Sequence, residues 1–219
     1  MTMEKTHNTG VIFDLDGTLW NSVREVAIAW NDTFQKYGVG VSLTPDMMRI
    51  TMGRTVPEIG EAMPVLRDIE PGRRAEILNA CCDEENRRLN LYGGDLYDGV
   101  TDVLAELDKS YDLFIVSNCE DGYIESFTNY HRTAKFFRDT ECIGRTGLNK
   151  AGNIRLIIER NGLEKAVYVG DTERDMRSAL DAGVPFIHAA YGFGSGFDSK
   201  LRVRSFRELP EIIKKVFEV

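Results

Sequence analysis

Four short apolar runs, each dropping at its end into polar or glycine-bearing sequence, constrain this chain more than any other feature. The first is VIFDL, from Val11 to Leu15; DLFIVSN (Asp112 to Asn118), AVYVGD (Ala166 to Asp171) and PFIHAA (Pro185 to Ala190) follow. Runs this short and this apolar read as strands buried on both faces. Between them the period changes to that of a helix. Val100, Val103, Leu104 and Leu107 share one face, as do Ile154, Ile157 and Ile158 ahead of Gly162, and Met176, Ala179 and Leu180 ahead of Gly183. Glycine just past the last periodic residue is a helix stop. A last helix is expected near Arg207 to Phe217. Strands alternating with helices require right-handed crossovers, so the fold class expected is α/β: a doubly wound, mostly parallel, Rossmann-like sheet covered on both faces.

Residues 21 to 94 break that alternation. Val26, Trp30, Phe34 and Tyr37 recur at the spacing of an amphipathic helix, and Pro71 opens a long helical stretch that continues towards Asn90. No apolar strand is readable there. The expected organisation is a core made of residues 1–20 and 95–219, interrupted by an α-helical insert at 21–94. Tyr92-Gly93-Gly94-Asp95 reads as the return hinge.

Charge and cysteines narrow the partners. The chain has 219 residues, with 35 acidic against 27 basic side chains and a formal charge of -8. A nucleic-acid partner is not expected, because phosphate backbones need a basic face. No run approaches the roughly 18 apolar residues of a membrane span. The start, MTMEKTHNTG, is polar and lacks a secretion-signal core, so cytoplasmic residence is expected. Cys81, Cys82, Cys119 and Cys142 form no C-x-x-C pair and are expected to be reduced packing thiols. A monomer and a homodimer are both compatible with the sequence.

Ligands of doubly wound sheets bind beyond the carboxyl ends of the strands. There the chain places Asp14, Asp16, Gly17 and Thr18; Ser117 and Asn118; and Gly170 and Asp171, with Asp175 in the next turn. Lys150 stands at a helix start, shortly after Gly147. Carboxylates crowded this closely repel one another and demand a counter-charge. The donors are oxygen, and none of His7, His131 and His188 belongs to the set. That argues for a hard cation, Mg2+, over zinc.

DLDGT from Asp14 to Thr18, Ser117, Lys150 and GDTERD from Gly170 to Asp175 resemble the four ordered motifs of haloacid dehalogenase-like phosphatases, over residues 11 to about 196. The resemblance implies an enzyme hydrolysing a phosphate monoester of a small metabolite, with the helical insert as a cap over the site. Asp14 would be the nucleophile and Asp16 the acid and base. Lys150 would neutralise charge; Leu15, Thr18, Ser117 and Asn118 would hold phosphoryl oxygens; Asp14, Asp16, Asp171 and Asp175 would hold Mg2+. Arg54, in a Gly-Arg turn of the cap, is the candidate for a substrate carboxylate or second phosphate. Trp20 and Asn21 are candidates for the cap hinge.

Within that family, an acid at Asp16 disfavours the dehalogenases. Lys36 is the sole lysine of 21–94, which disfavours the phosphonatases. The lack of any histidine between His7 and His131 disfavours the β-phosphoglucomutase-like phosphotransferases. A pyrophosphatase of the same superfamily stays open, and a non-enzymatic aspartyl-phosphate switch is the distant alternative. YGFGSGFDSK, from Tyr191, resembles the phosphoglycolate-phosphatase-like branch, although Lys150 is followed by Ala151-Gly152 where that branch commonly has prolines.

Overall fold

The computed structural model describes residues 7 to 218; the segment Met1–Thr6, part of the stretch read above as lacking a secretion signal, lies outside them. The first strand, β1 (Thr9–Phe13), begins and ends two residues earlier than the apolar run VIFDL. The reason is local. The Leu15 carbonyl accepts the N–H groups of Leu19 (2.8 Å) and Thr18 (3.2 Å), so the chain is already turning there. The Asp14 N–H donates to Val169 (2.8 Å) as a last rung, which leaves the Asp14 side chain at the sheet's edge of exit.

After β2 (Trp20–Asn21) come five helices: α1 (Val23–Tyr37), α2 (Pro45–Arg49), α3 (Val56–Ala62), α4 (Pro64–Arg67) and α5 (Pro71–Tyr92). β3 (Asp95–Leu96) then pairs antiparallel with β2, Trp20 opposite Leu96 and Asn21 opposite Asp95. The two crossings between core and insert therefore run side by side. Proline opens α2 to α5 at the first or second position, where its missing N–H costs nothing.

The core resumes with α6 (Val100–Leu107), β4 (Asp112–Ser117), α7 (Tyr123–Tyr130), β5 (Phe137–Cys142), α8 (Ile143–Thr146), α9 (Lys150–Asn161), β6 (Lys165–Gly170), α10 (Glu173–Ala182), β7 (Phe186–Ala189), β8 (Arg202–Val203) and α11 (Leu209–Phe217). A 3₁₀ turn at Phe206–Glu208 precedes α11, so the last helix starts slightly later than expected. The sheet order is β5-β4-β1-β6-β7-β8, and every described pairing in it is parallel.

Neither β5 nor β8 was expected. β5 reads FRDTEC, with no apolar run, because it is an edge strand. Its Asp139 and Glu141 pair with Arg160 of α9 (2.8 and 2.7 Å). Alternation along β1 sends Ile12 into one core layer with Phe114, Ile154, Ile157 and Tyr168, and Val11 and Phe13 into the other. That second layer runs on into the insert through Trp20, Trp30 and Phe34. No helix of the described residues is long and apolar enough to cross a membrane.

Candidate active site

The strand order puts a switch point at β1. From β1 the chain moves out to β4 and β5, then returns to β6 on β1's other side. A crevice opens beyond the strand ends at such a point. Asp14, first residue past β1, faces it, and Ser117 ends the neighbouring β4.

Asp14 is buried and so is its partner. Lys150 Nζ donates to Asp14 Oδ1 (2.9 Å) and to Asp175 Oδ1 (2.5 Å). Asn149 caps α9 by accepting the Gly152 N–H (2.8 Å), which sets Lys150 at the first helical position, aimed back at β1. Asp175 serves twice. Its Oδ1 takes Lys150, while its Oδ2 accepts the Thr172 N–H (2.9 Å) and hydroxyl (2.6 Å) in the capping box of α10. The helix cap and the ion pair are one residue's work.

Asp171 shows the strongest demand for a cation. Its Oδ2 accepts the N–H groups of Phe193 (2.6 Å) and Gly194 (3.2 Å), while its buried Oδ1 has no hydrogen-bond donor among the described residues. A buried carboxylate oxygen left so is costly. Asp14, Asp171 and Asp175 each offer one oxygen, and these lie within 4.8 Å of one another. All-oxygen donors of this charge fit a hard divalent cation such as Mg2+.

The chain is packed to its limit around Asp171. Gly17 has φ +79°, and a Cβ there would meet Asp171 Oδ2 at 2.2 Å. A Cβ on Gly192 would meet the Gly17 carbonyl at 2.2 Å and Asp171 Cβ at 2.4 Å. The YGFG run is therefore a clasp over Asp171, and Tyr191 closes it by donating to the Thr18 carbonyl (2.9 Å).

Asp16 points elsewhere. Ser22 donates to its Oδ1 (2.5 Å), and the Tyr123 hydroxyl lies 3.0 Å from the same oxygen and 2.9 Å from Ser22 Oγ. Burial raises the Asp16 pKa to about 6, against the lowering pull of those hydrogen bonds. Burial, then Asp175, raises Asp14 to about 7, opposed by Lys150. Asp171 is pushed well up by burial, Asp175 and Asp14. Burial works against charge on Lys150, but Asp14 and Asp175 hold its pKa well above the usual lysine value.

A cavity of about 60 Å³ lies between this floor and the helical insert. Asp14, Asp16, Ser117 and Asn118 line it from the core; Trp30, Met52, Arg54 and Glu85 line it from the insert. Asn118 also donates to the Gly53 carbonyl (3.0 Å), and Arg174 of α10 pairs with Glu58 of α3 (2.9 Å). Lys150, Asp171 and Asp175 do not line the cavity; they reach it through Asp14. Thr18 is not brought to it either. Its N–H is spent on the Leu15 carbonyl, its buried hydroxyl has no partner among the described residues, and its carbonyl holds Tyr191. Leu15's side chain is fully buried in the core, and its N–H lies against the Asp14 carboxyl. Arg54 faces the cavity with its Nε donating to the Ile50 carbonyl (3.3 Å). Trp20 packs edge-on against Tyr123, Phe127 and His131 beside the paired crossings. The four cysteines are free thiols.

Comparison with known proteins agrees with this geometry. The family model described as haloacid dehalogenase-like hydrolase matches residues 11–189. A phosphoglycolate phosphatase of Vibrio cholerae is 25% identical over 197 residues, covering 85% of this chain and 86% of that protein. Its counterpart in Synechococcus elongatus is 27% identical over 188 residues, 84% of each. Among solved structures, a haloacid dehalogenase-like family hydrolase from Streptococcus pneumoniae superposes with a TM-score of 0.81 at 22% identity, over 94% of this chain and 98% of that one, a likeness of fold. A match spanning most of the chain, over a parallel sheet with its acids gathered at the β1 switch point, makes the protein a member of the haloacid dehalogenase-like hydrolase family.

Proposed function

We propose that this hydrolase is a magnesium-dependent phosphatase acting on a small phosphate monoester through an aspartyl-phosphate on Asp14. The observation carrying this reading is the pair of acids at the end of β1. Asp14 is held by Lys150, Asp16 is held by Ser22 and Tyr123, and both face one cavity. A nucleophile and a proton carrier need that separation of environments.

In the first step an Asp14 carboxylate oxygen forms a bond to phosphorus as the bond to the ester oxygen breaks. Asp16 gives its proton to that leaving oxygen. In the second, Asp16 takes a proton from water, whose oxygen bonds to phosphorus and frees the Asp14 carboxylate. The N–H groups of Leu15 and Asp16, with Ser117 and Asn118, would hold the equatorial oxygens. Lys150 would offset charge on Asp14 and the phosphoryl group. Thr18, placed by sequence among the phosphate contacts, acts instead in the turn and as the clasp's acceptor.

Asp14, Asp171 and Asp175 carboxylates and the Asp16 carbonyl would hold Mg2+, which when bound neutralises phosphoryl charge. Residues 21–94 would act as the cap that shuts out bulk water, with the β2–β3 pair as its hinge. The substrate would be a small phosphorylated metabolite of the cytoplasm. Phosphoglycolate, named in the relatives, is one member of that class, and Arg54 would take its carboxylate.

The test is phosphate release from para-nitrophenyl phosphate with and without Mg2+, in the wild type and in Asp14→Asn. Turnover that requires Mg2+ and falls on the order of a thousandfold or more in the variant is expected. Equal rates in the two proteins would remove Asp14 from the nucleophile's role.

A further inference from the structure

We infer that Glu85 reads the leaving group, and that the preferred ester carries a hydrogen-bond donor, a hydroxyl or an ammonium, on a carbon next to the esterified one. This rests on the phosphatase reading and narrows its substrate. The roof of the cavity is largely apolar, with Trp30, Met48 and Val56 among its members, and the insert contributes two charged groups to it, Arg54 and Glu85. Glu76 on α5 pairs with Arg73 (2.7 Å). Glu84 pairs with Arg87 (2.5 Å), and on the same helix Arg88 pairs with Glu25 of α1 (2.8 Å). Glu85 lies between them in sequence yet has no cationic partner among the described residues and is turned to the cavity.

Its position is fixed. Trp30 Nε1 donates to Glu85 Oε2 (2.5 Å), tying α1 to α5 and leaving Oε1 as the carboxyl oxygen that Trp30 does not use. The polar environment is too thin to satisfy the group. Burial pushes its carboxyl up to about 8, and Asp16 and Glu120 act in the same direction. Asp16 and Glu85 line the same cavity, so an ester whose leaving oxygen Asp16 protonates would carry its substituents inside the enclosure that Glu85 borders. A donor arriving at Oε1 stabilises the ionised carboxylate that burial disfavours, and a site built around such a group discriminates against ligands lacking the donor. Phosphoglycolate carries a carboxylate at that carbon and offers no donor.

The magnesium-loaded full chain is assayed for kcat/KM on glycerol 3-phosphate, phosphoethanolamine, phosphoglycolate and para-nitrophenyl phosphate. Either of the first two is expected to exceed phosphoglycolate by about tenfold or more. Glu85→Gln keeps an oxygen for Trp30 and removes the capacity to ionise against an arriving ammonium. If an ammonium is read, this variant lowers the ratio of phosphoethanolamine to para-nitrophenyl phosphate about tenfold, mainly through KM. If a hydroxyl is read, Glu85→Gln changes the glycerol 3-phosphate ratio little and Glu85→Leu lowers it by that amount. Ratios unmoved in both variants, or a wild type that prefers phosphoglycolate, overturn the inference. Failure of the wild type to cleave any of the four esters overturns the phosphatase reading beneath it.

Discussion

Asp14 and Asp16 stand two residues apart in sequence and in unlike surroundings. Lys150 compensates the first; a Tyr123–Ser22 pair holds the second. Because those hydrogen bonds lower an Asp16 pKa that burial raises to about 6, removing one moves it further up. Tyr123→Phe is therefore expected to shift the basic limb of the kcat profile to higher pH. Turnover at the optimum should fall up to about tenfold as Asp16 loses its fixed orientation. A profile that superposes on the wild type's would mean Asp16 carries no proton in the slow step. The six motif residues Asp14, Asp16, Ser117, Lys150, Asp171 and Asp175 are legible in the sequence because each falls at a strand end or helix start. Tyr123 is not, since 107 residues separate it from Asp16 and a tyrosine on a helix carries no motif. The clasp on Asp171 was hidden for another reason: its donors are the backbone N–H groups of Phe193 and Gly194, and any residue but proline has one.

Among the elements, strands buried on both faces were readable and the others were not. β1, β4, β6 and β7 are apolar enough to stand out from the helices around them, though their ends depend on turn hydrogen bonds such as those of the Leu15 carbonyl. β5 is an edge whose acids are matched by an arginine on α9, so its sequence looks like a loop. β2 and β3 are two residues each, below any periodicity. Of the insert's helices, α1 and α5 are legible as helices; α2, α3 and α4, of four to seven residues, are too short for a periodicity to show, and which helix touches the core is not legible either. Glu58 of α3 meets Arg174 of α10, a residue inside the GDTERD run, and so ties the insert to the core. Both side chains are partly exposed, so the pair is worth at most about 1 kcal/mol. Arg174→Ala is expected to raise KM two- to fivefold, roughly what that energy allows, with kcat nearly unchanged. The wild type should lose the same advantage at about 0.5 M salt, where exposed pairs are screened. A fall in kcat with KM unchanged would place Arg174 in the chemistry and not in the closing contact.

For the molecule as a whole, the acids gathered at one crevice tie stability to pH and to metal. Asp14 at about 7, Asp16 at about 6 and Asp171 well up all have folded pKa values above those of the unfolded chain. Well below about pH 4, the unfolded aspartate value, both states hold these protons and nothing is lost. As pH rises, the unfolded chain releases them first. Metal-free protein therefore loses stability up to about pH 7, at as much as roughly 1.4 kcal/mol per pH unit for each group in its window. A cation held by the ionised carboxylates offsets that loss, because binding the folded state alone stabilises it. The rise in Tm on adding Mg2+ should thus be small near pH 5 and grow toward pH 7.5, and chelation should reverse it. Asp171→Asn should flatten the metal-free dependence and abolish most of the Mg2+ effect, since it removes one charge from the cluster and the oxygen that has no donor. Thermal melts of both proteins across that range, with Mg2+ and with chelator, decide the matter. A Mg2+ shift that is equal at both ends of the range, or that survives in the variant, would put the cation somewhere other than among Asp14, Asp171 and Asp175.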